Sequence, residues 1–186
     1  MGPRPEISAV TDYRLTSDRL GLRSWREADL APFAALNGDP AVMEHFPAEL
    51  TREQSDALVG RLQAHEDRDG CTFWAVDELA TGRFVGMLGV LVQRDMDGVL
   101  GGPTREMGWR LAPAFWGRGY ATEGARACLR WAFAETDAER VVAFTTLDKA
   151  RSERVVQRAG MQRVAEFSHP RVLGHRLERH VLYEAR

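Results

Sequence analysis

Arg105-Glu106-Met107-Gly108-Trp109-Arg110-Leu111-Ala112-Pro113-Ala114-Phe115-Trp116-Gly117-Arg118-Gly119-Tyr120-Ala121-Thr122-Glu123 is the most informative stretch of this chain. Met107 to Leu111 reads as a short strand, and Gly117 and Gly119 as a turn that opens a helix. Glycines let the backbone approach a ligand closely, and the free amides and dipole at a helix start favour an anion. On their own these features describe either a phosphate-binding turn or simply a tight one. The segment is not a Walker A loop, because no Gly-Lys-Ser/Thr follows. Nor is it a dinucleotide fingerprint, because Thr122 stands where the third glycine belongs.

Working outward, Ala121, Ala125, Cys128, Leu129, Ala132 and Phe133 repeat at helical spacing. On the N-terminal side, Arg19 to Arg23 alternates as a strand. Ser24-Trp25-Arg26-Glu27 has capping-box spacing ahead of a helix through Leu30, Phe33 and Ala34, and Gly38-Asp39-Pro40 breaks that helix. Thr51 with Gln54 marks a second box and a helix ending near Gly70. Thr72–Asp77 and Phe84–Val92 read as strands joined through the Thr81-Gly82 turn. On the C-terminal side, Val141–Thr145 is a β-branched strand and Ser152–Arg158 a short helix stopped by Gly160. Strands around Arg163–Phe167 and Leu177–Tyr183 close the chain. This order predicts a mixed α/β domain over residues 17–186, with residues 1–16 as a lead-in.

Composition narrows the function. The chain has 186 residues, 25 basic and 27 acidic side chains and a net charge of −2. That length suits one domain with a core of its own. The near-neutral balance speaks against a nucleic-acid or membrane-surface binder. Cys71 and Cys128 lack metal or redox spacing and fit free thiols in a reducing, cytoplasmic setting. No apolar run reaches bilayer length, and Met1–Glu6 carries neither a secretory signal nor a myristoylation motif. Asn37, Lys149 and Ile7 are the only residues of their types, as a G/C-rich genome would produce.

Glu-Met-Gly-Trp-Arg-Leu, four residues, then Trp-Gly-Arg-Gly-Tyr-Ala-Thr-Glu resembles the acetyl-CoA-binding segment of the GNAT N-acetyltransferases, and within them the RimJ/RimL-like branch. Three further stretches match in order: Arg19–Arg23 with Asp29-Leu30, Ser152–Met161, and Arg179–Tyr183. The resemblance implies a GNAT fold, a central, mostly antiparallel mixed sheet flanked by about four helices. It also implies acetyl transfer from acetyl-CoA, without a metal or a covalent acetyl-enzyme, to a small-molecule or peptide primary amine. A homodimer is common in the family.

Residue roles follow from the resemblance. Glu106 is the expected general base, since amines rest protonated near neutrality; it also reads as a strand-end carboxylate paired with Arg105 or Arg110. The amide of Leu111 faces the thioester carbonyl. The backbone of Gly117, Arg118, Gly119, Tyr120 and Ala121, with the Thr122 hydroxyl, receives the pyrophosphate. Trp116 stands where many members carry Gln or Arg. Val156 occupies the position of the usual proton-donating tyrosine, and Ser152 matches a serine that the RimJ/RimL-like branch uses instead as donor to the thiolate; the alternatives are a water as donor and a Ser152 that only caps its helix. Lys149 replaces the usual pantetheine-binding Asn and serves either the cofactor or the surface.

The acceptor side falls to Glu44, His45 and Phe46 after the first helix and to His169 and His175 in the last loop. The histidines lack metal-ligand spacing, and Asp95-Met96-Asp97-Gly98 fails as a calcium loop because Leu100 holds its glycine position. A non-catalytic acyl-CoA-binding module of the same fold is the alternative function.

Overall fold

In the computed structural model, which describes residues 12–147 and 150–186, the chain forms one eight-stranded sheet with six α-helices. The elements in order are β1 (Leu15–Thr16), β2 (Leu20–Arg23), α1 (Glu27–Asn37), α2 (Pro40–Met43), α3 (Arg52–Asp69), β3 (Phe73–Glu78), β4 (Arg83–Gln93), α4 (Asp97–Leu100), β5 (Thr104–Leu111), α5 (Tyr120–Glu135), β6 (Val141–Thr146), α6 (Ala150–Arg158), β7 (Gln162–Ser168) and β8 (Arg179–Ala185). The sheet order is β1-β2-β3-β4-β5-β6-β8-β7. Every neighbouring pair is antiparallel except β5 with β6. The expected α/β architecture is present. Its four longer helices are joined by two of only four residues, α2 and α4, which carry too little periodicity to be read from sequence.

Alternation along the central strands sends side chains to two cores. On one face Trp74, Leu88, Val90 and Met107 pack with Ala125, Cys128 and Ala132 of α5 and Val156 of α6. On the other, Ala75, Met87 and Leu91 meet Phe33 and Leu36 of α1 and Val59 and Leu62 of α3.

The second capping box forms as expected, with Thr51 and Gln54 bonding reciprocally and Gly70 ending α3 in the left-handed conformation. The first does not. Arg26, not Ser24, is the N-cap of α1, and Asp29 accepts from its backbone N–H at 2.8 Å. Ser24 is taken elsewhere, its hydroxyl donating to Glu66 at 2.7 Å. Asp29 is also held from below by Arg23, a buried guanidinium that spans Asp29 and Asp77. A tertiary ion cluster therefore fixes where α1 begins.

Gly86 sets how closely β4 approaches β5. Its φ is +143°, and a Cβ there would lie 2.2 Å from the Arg110 carbonyl oxygen and 2.9 Å from Leu111 Cα. Gly86→Ala must push the strands apart beside Leu111. A loss of about 1–3 kcal/mol is expected from overpacking alone. Gly82→Ala also has positive φ but no neighbour within 4 Å, and so separates backbone strain from crowding when the two denaturant midpoints are compared.

Candidate active site

The turn read from sequence sits between β5 and α5. Ala112 N–H donates to Val85 O at 2.9 Å, and a 3-10 turn over Pro113–Phe115 follows. The Trp116 indole then donates back to Leu111 O at 2.7 Å and fixes the strand end against the turn. Gly117 and Gly119 take φ of +74° and +82°, and Gly119 is the N-cap of α5. No side chain caps α5, so its first amides keep their donors for another acceptor. The helix start is anchored from the N-terminal side of the chain. Glu123 accepts from Ser17 Oγ at 2.6 Å, Arg19 N at 2.8 Å and Arg19 Nε at 2.7 Å, and Arg19 Nη1 donates to Arg118 O.

Parallel pairing of β5 with β6 is confined to Arg105 with Val141 and Glu106 with Val142. Beyond it, β5 runs on as Trp109, Arg110 and Leu111 along a cavity of about 820 Å³, within the range of small-molecule sites. The turn and α5 contribute Trp116, Gly117, Gly119, Tyr120, Ala121 and Thr122. Ser152 joins them from the first turn of α6, and Glu44, His45 and Phe46 from the segment after α2. Arg151, Arg154 and Arg158, at helical spacing on α6, make this end of the cavity basic, and Arg151 lies over the Trp116 ring at 4.9 Å. That periodicity was visible in the sequence and could have flagged them.

The family model described as "Acetyltransferase (GNAT) domain" matches residues 19–162. The chain belongs to the GNAT acetyltransferase family. It is therefore an acyltransferase by family. It is 32% identical over 149 residues to the uncharacterized protein YkkB of Bacillus subtilis, covering 80% of this chain and 84% of that one. Its fold matches a GNAT-family acetyltransferase from Bacillus anthracis with a TM-score of 0.76 at 23% identity, covering 92% and 96% of the two chains. It also matches RimL, a ribosomal L7/L12 α-N-protein acetyltransferase in complex with coenzyme A, with a TM-score of 0.75 at 15% identity, covering 94% and 97%.

Not every expected residue of this GNAT domain reaches the cavity. The Arg118 side chain is exposed and turns to Glu78 at 3.5 Å. His169 and His175 lie outside the wall. His169 caps its own turn through Arg171 N–H and packs among Phe144, Phe167 and His180, where burial pushes its pKa down to about 4. His175 accepts from Leu177 N–H. Lys149 lies outside the described residues. Val156 is buried in the core, as its apolar side chain demands.

Glu106 is not in the cavity wall either. It shares a strand face with Gly108 and Arg110, and the Phe73 ring lies over Gly108 between them. Neither arginine pairs with it: Arg105 bonds Asp137 and Thr136, and Arg110 bonds Asn37. Its partner is Gln93, whose Nε2 donates to Glu106 Oε2 at 2.8 Å. Crowding by protein atoms pushes its carboxyl up to about 7, against the opposing pull of Gln93 and Arg171. Both cysteines are buried free thiols, and loss of hydration raises the pKa of each, which unsuits them as nucleophiles.

Proposed function

We propose that this GNAT domain is an acetyl-CoA-dependent N-acetyltransferase of the RimJ/RimL-like branch, moving acetyl directly to a primary amine. The observation that carries the reading is one cavity containing Leu111, the uncapped start of α5 and Ser152. The site suits the cosubstrate: positive-φ glycines bare the α5 amides toward a pyrophosphate, and Arg151, Arg154 and Arg158 add cations nearby. The coenzyme A held by the structurally similar RimL supports the same choice.

Bound acetyl-CoA supplies the activated acetyl group. The Leu111 amide donates to the carbonyl oxygen as negative charge grows there, positioned by the Trp116 clamp on Leu111 O. Ser152, 7% exposed and in the wall, donates its hydroxyl proton to the departing thiolate and recovers one from solvent, to which Glu106 releases the proton taken from the amine. Glu106 accepts the proton of the attacking amine through water, because it lies outside the cavity wall. His45, which does line the cavity, supports a second assignment of the base.

The cosubstrate is tested directly by heat. A ligand that binds only the folded state at a hundred times its Kd adds about 2.7 kcal/mol, which raises Tm by roughly 5–10 °C in a domain of this size. A Tm unmoved by acetyl-CoA overturns the reading. A shift with no release of free CoA across a panel of amines and peptides favours the non-catalytic binding module instead.

A further inference from the structure

Two arginines of this chain are buried almost equally, Arg23 at 5% and Arg110 at 8% exposure. Arg23 uses all five of its donors: four go to Asp29 and Asp77, and the fifth to Ser24 O. Arg110 makes a single hydrogen bond among the described residues, from Nη1 to the neutral Asn37 Oδ1 at 2.5 Å. Its Nε is buried with no partner, and no carboxylate pairs with it among the described residues. One face of the guanidinium lies 4.1 Å from the centre of the Phe46 ring, and neither Nε nor Nη2 makes a hydrogen bond among the described residues. Nε is closed to solvent, so Nη2 is the unbonded donor left for a carboxylate in the cavity. A buried cation without a counter-ion is costly, and among the described residues Arg110 has only the Asn37 hydrogen bond and the Phe46 ring to offset its lost hydration.

Arg110 also stands at a telling place. It precedes Leu111, it lines the cavity, and its side chain points toward α1 and the Glu44–Phe46 segment rather than toward α5. The basic residues of α6 belong to the other end, beside the α5 amides. We propose that Arg110 forms a carboxylate subsite in the acceptor half of this cavity, so that the amine acetylated here carries a carboxylate a short spacer from its nitrogen. The inference rests on the acetyltransferase reading above and names its acceptor class. The same cation makes a polyamine a poor acceptor, because like charges would meet without screening.

The test compares N-acetyl α- and β-amino acids, each with its primary amide, as product-like ligands in calorimetric titrations that require no turnover. Wild-type protein is expected to bind at least one acid about tenfold more tightly than its amide, and Arg110→Gln is expected to abolish that difference. With the parent amino acids as acceptors, kcat/KM for the acid falls about a hundredfold in the variant and for the amide less than threefold. Arg110→Gln keeps a donor for Asn37; Arg110→Met, apolar and of similar length, replaces it if the glutamine variant does not fold. Wild type that never prefers an acid overturns the proposal. So does a variant that loses acid and amide alike, since Arg110 would then serve the shared reaction centre. Failure of acetyl-CoA to shift Tm sinks the acetyltransferase reading instead, while the acid-to-amide ratio still reports on Arg110.

Discussion

Replacing Arg23 with methionine is expected to remove about 3–5 kcal/mol of stability, the range seen when one partner of a buried ion pair is deleted. The guanidinium is the sole cationic partner, among the described residues, of two carboxylates that are themselves buried, Asp29 and Asp77. Without it both charges lie unpaired between β2, β3 and the start of α1. Against a typical total of 5–15 kcal/mol, that loss approaches unfolding. Its pH dependence gives the mechanism away. Stranded carboxylates take folded pKa values above their unfolded ones, so the variant binds extra protons when folded and loses stability as pH rises. Denaturant midpoints at pH 5 and pH 8 should therefore show a smaller deficit at pH 5. A pH-independent deficit would point to lost packing instead.

Glu106→Gln is expected to divide activity from stability. With the wild-type carboxyl at about 7, kcat/KM for the acceptor should fall as pH drops below neutrality. The glutamine variant should lose roughly a hundredfold or more of its rate and that pH limb with it. A rate within threefold of wild type moves the base to His45. Stability runs the other way. A carboxyl whose pKa rises from 4.5 to about 7 on folding is neutral in the folded state below 4.5 and costs stability increasingly up to 7. At about 1.4 kcal/mol per unit, the full cost above pH 7 is on the order of 3 kcal/mol. The variant is therefore more stable than wild type at pH 8 and equal to it near pH 4, as thermal melts at the two pH values will show.

Local chemistry was legible where a few neighbouring residues decide it. The Thr51–Gln54 box, the Gly70 stop, the Thr81-Gly82 turn and the strand–turn–helix from Met107 to Glu123 all form where the sequence points. What failed depended on residues distant in sequence. Ser24 loses its capping role to Glu66, 42 residues away. Glu106 lies outside the cavity wall, and Phe73 of β3 covers its neighbour Gly108 on the same strand face. Arg110 was legible only as a partner for Glu106, since arginine is mostly exposed and sequence cannot show that Asn37 and Phe46 would enclose it. The acceptor side suffers most, because it is built from loops, and two of its five expected residues turn to their own loop and strand neighbours instead.

The anchoring of α5 by Ser17 and Arg19 bears on the order in which this protein becomes competent during synthesis. The three Glu123 contacts span 104 and 106 residues of chain. Ser17 and Arg19, between β1 and β2, leave the ribosome early but cannot brace α5 until that helix has emerged. Ser152 arrives later still. The cavity wall is thus complete only once α6 has been made, so its assembly belongs to late folding.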